Sequence, residues 1–166
     1  VFMIGEMNRY DEGFLYARKL FQAMDGLWLI KARDFSDGLQ GSTPEIFDFK
    51  RAGDLDVRRR NAMRQDFLNG MRQVTGALDP KLFETLLMCG AHNIHCMRTA
   101  FGDPRGVLYT DIWRDGEMVS SLLDYGNGVR ACFDVGITRY KWFDKEIKAY
   151  GRSQVITVSF TNPLQR

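Results

Sequence analysis

The sequence predicts an α+β domain: an open, mainly antiparallel sheet of about six strands with helices packed on one face. Three observations carry that expectation. Helix-period patterns occupy the first hundred or so residues, and short alternating segments broken by tight turns fill the rest of the 166-residue chain. Helices followed by a run of strands place the helices on one side of an antiparallel sheet. The length is enough for one domain with a real core and short for two, so residues 1–166 are read as a single domain.

Each element has its own reason. Residues 1–10, VFMIGEMNRY, are apolar enough to read as a buried strand. Asp11 can cap a helix in which Phe14, Leu15, Ala17, Leu20, Phe21 and Met24 recur at helical spacing, and Asp25-Gly26 closes it. Leu27 to Phe35 reads as a strand, with Trp28, Ile30 and Ala32 on one face. Residues 36–57, punctuated by Gly38, Gly41, Pro44 and Gly53, read as a loop. A helix from Arg58 to Val74 is amphipathic through Met63, Phe67, Leu68, Met71 and Val74. Asp79-Pro80 opens another in the preferred manner, a cap and then Pro at the first position, running to about Phe101 before Gly102-Asp103-Pro104 ends it.

Five strands follow: Gly106–Trp113, Met118–Tyr125, Gly128–Gly136, Phe143–Tyr150 and Gln154–Thr161. Asp115-Gly116, Gly126-Asn127-Gly128, residues 138–142 and Gly151-Arg152-Ser153 separate them, and turns this tight join antiparallel neighbours. The sheet face away from the helices is expected to carry many apolar groups and to be covered by a partner chain.

Composition excludes several classes. With 23 basic and 21 acidic residues the net charge of +2 does not advertise a nucleic-acid partner. Arg58-Arg59-Arg60 sits beside Asp54 and Asp56 and is answered by Asp66, as in a solvated helix start. No apolar run of about 18 residues exists, so no membrane partner is expected. Three sparse cysteines do not make a disulfide framework, which fits a reducing cytoplasm. The chain opens without Met on an apolar stretch and ends at Asn162-Pro163-Leu164-Gln165-Arg166, so it is expected to be a piece of something longer.

The stretch LLMCGAHNIHCMR, residues 86 to 98, holds both histidines and two of the three cysteines. On a helix Cys89, His92 and Cys96 fall within an arc of ~60°. A structural zinc site wants a fourth ligand, however, and His95 points elsewhere, so no metal is assigned. Leu86, Leu87, Met88, Ile94 and Met97 make the helix apolar nearly all round, which suits a central buried helix with core cysteines. A neutral His emerging from such a helix into a cleft can also exchange a proton near pH 7, since its unperturbed pKa is about 6.5. Residue types alone leave packing and catalysis both open.

Four short motifs, in order, resemble one family. Ile4-Gly5-Glu6-Met7-Asn8-Arg9-Tyr10-Asp11 resembles the segment with which Gfo/Idh/MocA oxidoreductases leave their nucleotide-binding domain, residues 1–5 matching the end of that domain. Gly90-Ala91-His92-Asn93-Ile94-His95, then Met97-Arg98 and Phe101-Gly102-Asp103-Pro104, resembles the family's G-x-H-x-x-D-x-x-R helix. Tyr125-Gly126-Asn127-Gly128-Val129 is similar to its hairpin, and Ile147-Lys148-Ala149-Tyr150-Gly151 to one of its strands.

The resemblance covers only the family's C-terminal domain. The glycine-rich G-x-G-x-x-G turn and the Glu-Lys-Pro segment with the family's lysine have no counterpart. It implies a substrate-binding and oligomerisation domain of an NAD(P)-dependent oxidoreductase acting on a sugar, polyol or related hydroxy compound. NAD or NADP would belong to the complete protein and not bind this chain tightly, and a homodimer or higher homo-oligomer would form through the sheet. The resemblance makes His92 the proton acceptor and places Arg9, Tyr10, His95 and Trp142 among substrate-binding residues. It also exposes two departures: Met88 and His95 stand where many members carry Asp. The alternative these departures suggest is a non-catalytic dimerisation or ligand-sensing module.

Overall fold

The computed structural model describes residues 7–36, 56–76, 79–138 and 143–160. Its strands are β1 (Leu29–Ser36), β2 (Gly106–Trp113), β3 (Met118–Gly126), β4 (Val129–Ile137), β5 (Asp144–Tyr150) and β6 (Val155–Ser159). They form one open sheet in the order β2-β3-β4-β1-β5-β6. Only the β1–β4 pairing is parallel. The α+β architecture expected from the element order is therefore present, but the strand segment does not form an unbroken meander. β1 enters between β4 and β5, so these two strands, consecutive in the chain, are not neighbours in the sheet. β1 turns Ile30, Ala32, Asp34 and Ser36 toward the helices, all of them buried, and a strand so fully covered belongs at the centre.

Helix α1 (Glu12–Gln22) starts where Asp11 accepts a hydrogen bond from Phe14 N at 3.0 Å. It buries Phe14, Ala17 and Phe21, and Phe14 meets Phe160 while Phe21 meets Phe101 at ring-centroid distances of 6.2 and 5.0 Å. Just before it, Met7–Tyr10 is a 3-10 helix and not the expected strand. Met7 and Tyr10 are exposed, so this stretch has no two-sided burial to hold it in a sheet.

Helix α2 (Val57–Thr75) has the expected span and is capped by Asp56. Its apolar stripe behaves differently from expectation: Met71 is buried, but Met63, Phe67 and Val74 are exposed. The helix packs against α3 (Pro80–Thr85), with these three stripe positions left outside. The single helix expected from Pro80 to Phe101 is continuous but not uniform, because Leu86–Gly90 forms a π-turn between α3 and α4 (Ala91–Phe101). Asp79 caps it, Pro80 occupies its first turn, and Gly102 at φ +83° ends it.

The open face of the sheet is mixed. Arg33 bridges Asp144 and Glu146 at 2.6 and 2.9 Å and Ser120 donates to Asp134, while the register puts Phe35, Leu122 and Cys132 on the same face. Apolar exposure is concentrated on edge strand β2, where Val107, Leu108, Tyr109, Ile112 and Trp113 are all exposed.

The β2–β3 turn is locked onto α3. Thr85 Oγ1, fully buried, donates to Gly116 O at 2.8 Å, and a Cβ on Gly116 would lie 2.9 Å from Leu82 N. Gly116 also has φ +83°. Gly116→Val should therefore destabilise by about 2–4 kcal/mol, combining left-handed strain with a backbone clash. Chemical denaturation measures this, and a change under about 0.5 kcal/mol would show that the turn is not fixed by this contact.

Candidate functional site

The π-turn and the start of α4 carry the candidate site. A residue inserted into the i→i+4 ladder widens the helix by one bond, here Ala91 N–H to Leu86 O, and such turns recur at functional positions. Gly90 lets the widened turn lie on the sheet, since a Cβ there would come within 3.1 Å of Phe133 Cζ and 3.6 Å of Val135 Cγ2. His92 follows directly and is half-buried. Its neighbours on either side along the chain face the sheet: Cys89 and Asn93 are buried.

Polar contacts between this segment and β1 are specific. Ser36 Oγ and Cys89 Sγ share a hydrogen bond of 3.2 Å, and Asn93 Nδ2 donates to Arg33 O at 2.7 Å. Between their β1 partners lies Asp34, fully buried and opposite Lys145 on β5, whose Nζ stands 3.0 Å from Asp34 Oδ2. Burial raises the Asp34 carboxyl to about 6, although the Lys145 charge pulls the other way. Burial also raises the Cys89 thiol, so this cysteine is a protonated packing group rather than a nucleophile. Cys96 is fully buried, and among the described residues no three His, Cys, Asp or Glu side chains converge as metal ligands.

The other sequence candidates divide. Arg9 and Tyr10 lie on the 3-10 helix that packs against α4, and the Arg9 guanidinium sits 5.4 Å from the Tyr10 ring centroid. That contact brings the Arg9–Tyr10 segment to the helix that carries both histidines. His95 is half-buried one turn further along, and its carbonyl accepts from Thr99 Oγ1 at 2.7 Å. Met88 is half exposed. Trp142 lies outside the described residues. Tyr125, in the hairpin motif, packs edge-on against Phe101, and burial, with Asp103 adding to it, pushes its hydroxyl up to about 12.

Two clefts lie elsewhere. One of about 580 Å³ runs between Asp79, Leu82 and the Ile112–Gly116 turn, and one of about 220 Å³ opens on the charged sheet face at Lys31, Arg33, Asp134 and Glu146. Neither is lined by Arg9, Tyr10, His92 or His95.

Sequence reasoning missed Asp34, Lys145, Ser36 and Asn93. A signal for Asp34 was present: the alternation that puts Ile30 and Ala32 on one face puts Asp34 there as well, a carboxylate aimed into the core. Lys145 carried no such signal, because its register against Asp34 depends on β1 inserting beside β5.

No family model matches the chain, and no curated protein sequence does. Solved structures do. A myo-inositol 2-dehydrogenase from Lactobacillus plantarum aligns with TM-score 0.59 and 16% identity over 95% of this chain and 42% of its own. A scyllo-inositol dehydrogenase from Lactobacillus casei, solved with NAD(H) and scyllo-inositol, aligns with TM-score 0.58 and 18% identity over 95% and 41%. A myo-inositol dehydrogenase from Corynebacterium glutamicum gives 0.54 and 13% over 97% and 41%. The chain thus spans about two fifths of the length of these proteins and has the fold of that portion of the inositol dehydrogenases.

Proposed function

We propose that this chain is the C-terminal, substrate-binding domain of a Gfo/Idh/MocA oxidoreductase that uses NAD or NADP to oxidise a sugar, polyol or related hydroxy compound. The observation that carries the reading is His92, half-buried at the exit of a π-turn on the helix against which the Arg9–Tyr10 segment packs. The fold shared with inositol dehydrogenases, one of them solved with NAD(H) and scyllo-inositol, supports the substrate class.

The described residues contain no glycine-rich strand-to-helix turn fit to hold a dinucleotide, so NAD(P) is assigned to another part of the complete polypeptide. Hydride acceptance is the cofactor's chemistry. This chain's share is the proton: His92 takes it from the substrate hydroxyl, Arg9 and Tyr10 flank the substrate, and Trp142 and His95 contribute further contacts. Polyol-dependent formation of NAD(P)H by the complete polypeptide tests the reading, and its absence across sugars and inositols refutes it.

A second reading is a non-catalytic dimerisation or ligand-sensing module. Met88 favours it, since a thioether one turn before the histidine cannot anchor a hydroxyl. Either reading includes self-association through the sheet, supported by the apolar side chains that β2 exposes. Sedimentation at micromolar concentration should give a dimer or larger species, and Trp113→Glu together with Tyr109→Glu should dissociate it. A monomeric parent chain contradicts this part of the proposal.

A further inference from the structure

The layer between β1 and the helix that carries His92 is polar where apolar packing would suffice. Two direct bonds cross it, Ser36 to Cys89 and Arg33 O to Asn93, and they bracket His92 along the chain. Asp34 lies between their attachment points on β1 and is fully buried. Its Oδ2 is 3.0 Å from Lys145 Nζ in a charge-assisted contact, while Oδ1 meets no donor among the described residues. Asn93 Oδ1 meets none either. A buried acceptor without a donor costs on the order of 1–3 kcal/mol, so this layer is unsettled as well as polar. It lies under a π-turn, a rare form that recurs at functional sites.

We propose that Asp34, paired with Lys145, is a positioning residue for His92. Loss or gain of its proton changes how residues 89 to 93 sit on β1, and through them where the His92 ring stands.

The chemistry is local. Ionised, Asp34 only accepts, and Lys145 is its counter-charge. Protonated, it becomes a donor in a layer that holds an acceptor without a donor on Asn93. Among the described residues the groups around it are few: Lys145 from β5, Cys89 from the π-turn, Ser36 on its own strand and Asn93 from α4, bonded to the neighbouring Arg33 O, while β4 presents Val135. Arg33, Asp144 and Glu146 are engaged with one another on the opposite face of the sheet. Among the described residues, titration of this layer is therefore governed by one carboxyl against one ammonium.

The functional consequence rests on His92 being the proton acceptor, but the coupling itself does not. The test uses the 166-residue chain carrying His92→Gln, which removes the histidine's own titration. The Asp34 carboxyl carbon and the Cys89 and Asn93 amides are then followed by NMR from pH 4 to 8. The amides should titrate with the same midpoint as the carboxyl, near 6, and the step should vanish when Asp34→Asn is added. Asp144→Asn, on the opposite face, should leave it in place. Amides that are flat, or that follow a different midpoint from the carboxyl, overturn the proposal. That comparison needs no second variant, so it stands even if Asp34→Asn fails to fold. Coupling observed alongside full turnover of His92→Ala in the complete polypeptide would refute the proposed function and leave the positioning intact.

Discussion

Replacing His92 by Ala in the complete polypeptide should lower kcat by about two to four orders of magnitude, the usual worth of a positioned general base. The fold should survive. His92 is only half-buried, and the helix around it is held by Cys89, Asn93, Cys96 and Met97, all buried. Thermal unfolding of the 166-residue variant should stay within a few degrees of the parent, as expected for a change of about 1 kcal/mol or less. Polyol-dependent NAD(P)H formation measures the first quantity and circular dichroism the second. Turnover within twofold of the parent would exclude His92 as the proton acceptor, whereas a collapse of both quantities would make it a structural residue.

Lys145→Met should be among the most damaging single changes to stability outside the apolar core, and its cost should depend on pH. Asp34 has a carboxyl pKa raised from 3.8 to about 6, so between those values the folded chain holds a proton that the unfolded chain releases. The sign follows: this group favours folding most below about pH 4, loses ground as the pH rises, and reaches a plateau above about pH 6, the full span being about 3 kcal/mol. Lys145 supplies the attraction that keeps the shift from being larger. Without it the Asp34 pKa rises further, and the decline continues to higher pH. Lys145→Met should therefore cost little near pH 4 and up to about 3 kcal/mol near pH 8, where the folded chain must either keep a proton that the unfolded chain releases or ionise an unpaired buried carboxylate. Urea denaturation across that range measures it. A loss independent of pH would mean that the lysine matters only for packing.

Local signals fixed most of the secondary structure. Asp11 and Asp79 announce two helix starts and cap both, because a short acidic side chain accepting a backbone N–H is a property of neighbouring residues alone; Asp56 caps a third. The α+β class follows in the same way from the change of period near Arg105. Burial was harder to read. The stripe Met63-Phe67-Val74 has the spacing of a core face yet lies outside, since periodicity shows which residues share a side and not whether anything packs there.

The sequence by itself determined the helix caps at Asp11 and Asp79 and the strand segments from Leu27 onward, and a motif resemblance spread along the chain is what puts His92 forward for the proposed chemistry. Only the tertiary structure decided that β1 sits between β4 and β5, and with it that Asp34 meets Lys145 across 111 positions of sequence and lies under the His92 helix. The reason is physical: caps and periodicity act over a few bonds, while the partner of a buried charge is chosen by strand order, which depends on the burial of the whole sheet at once.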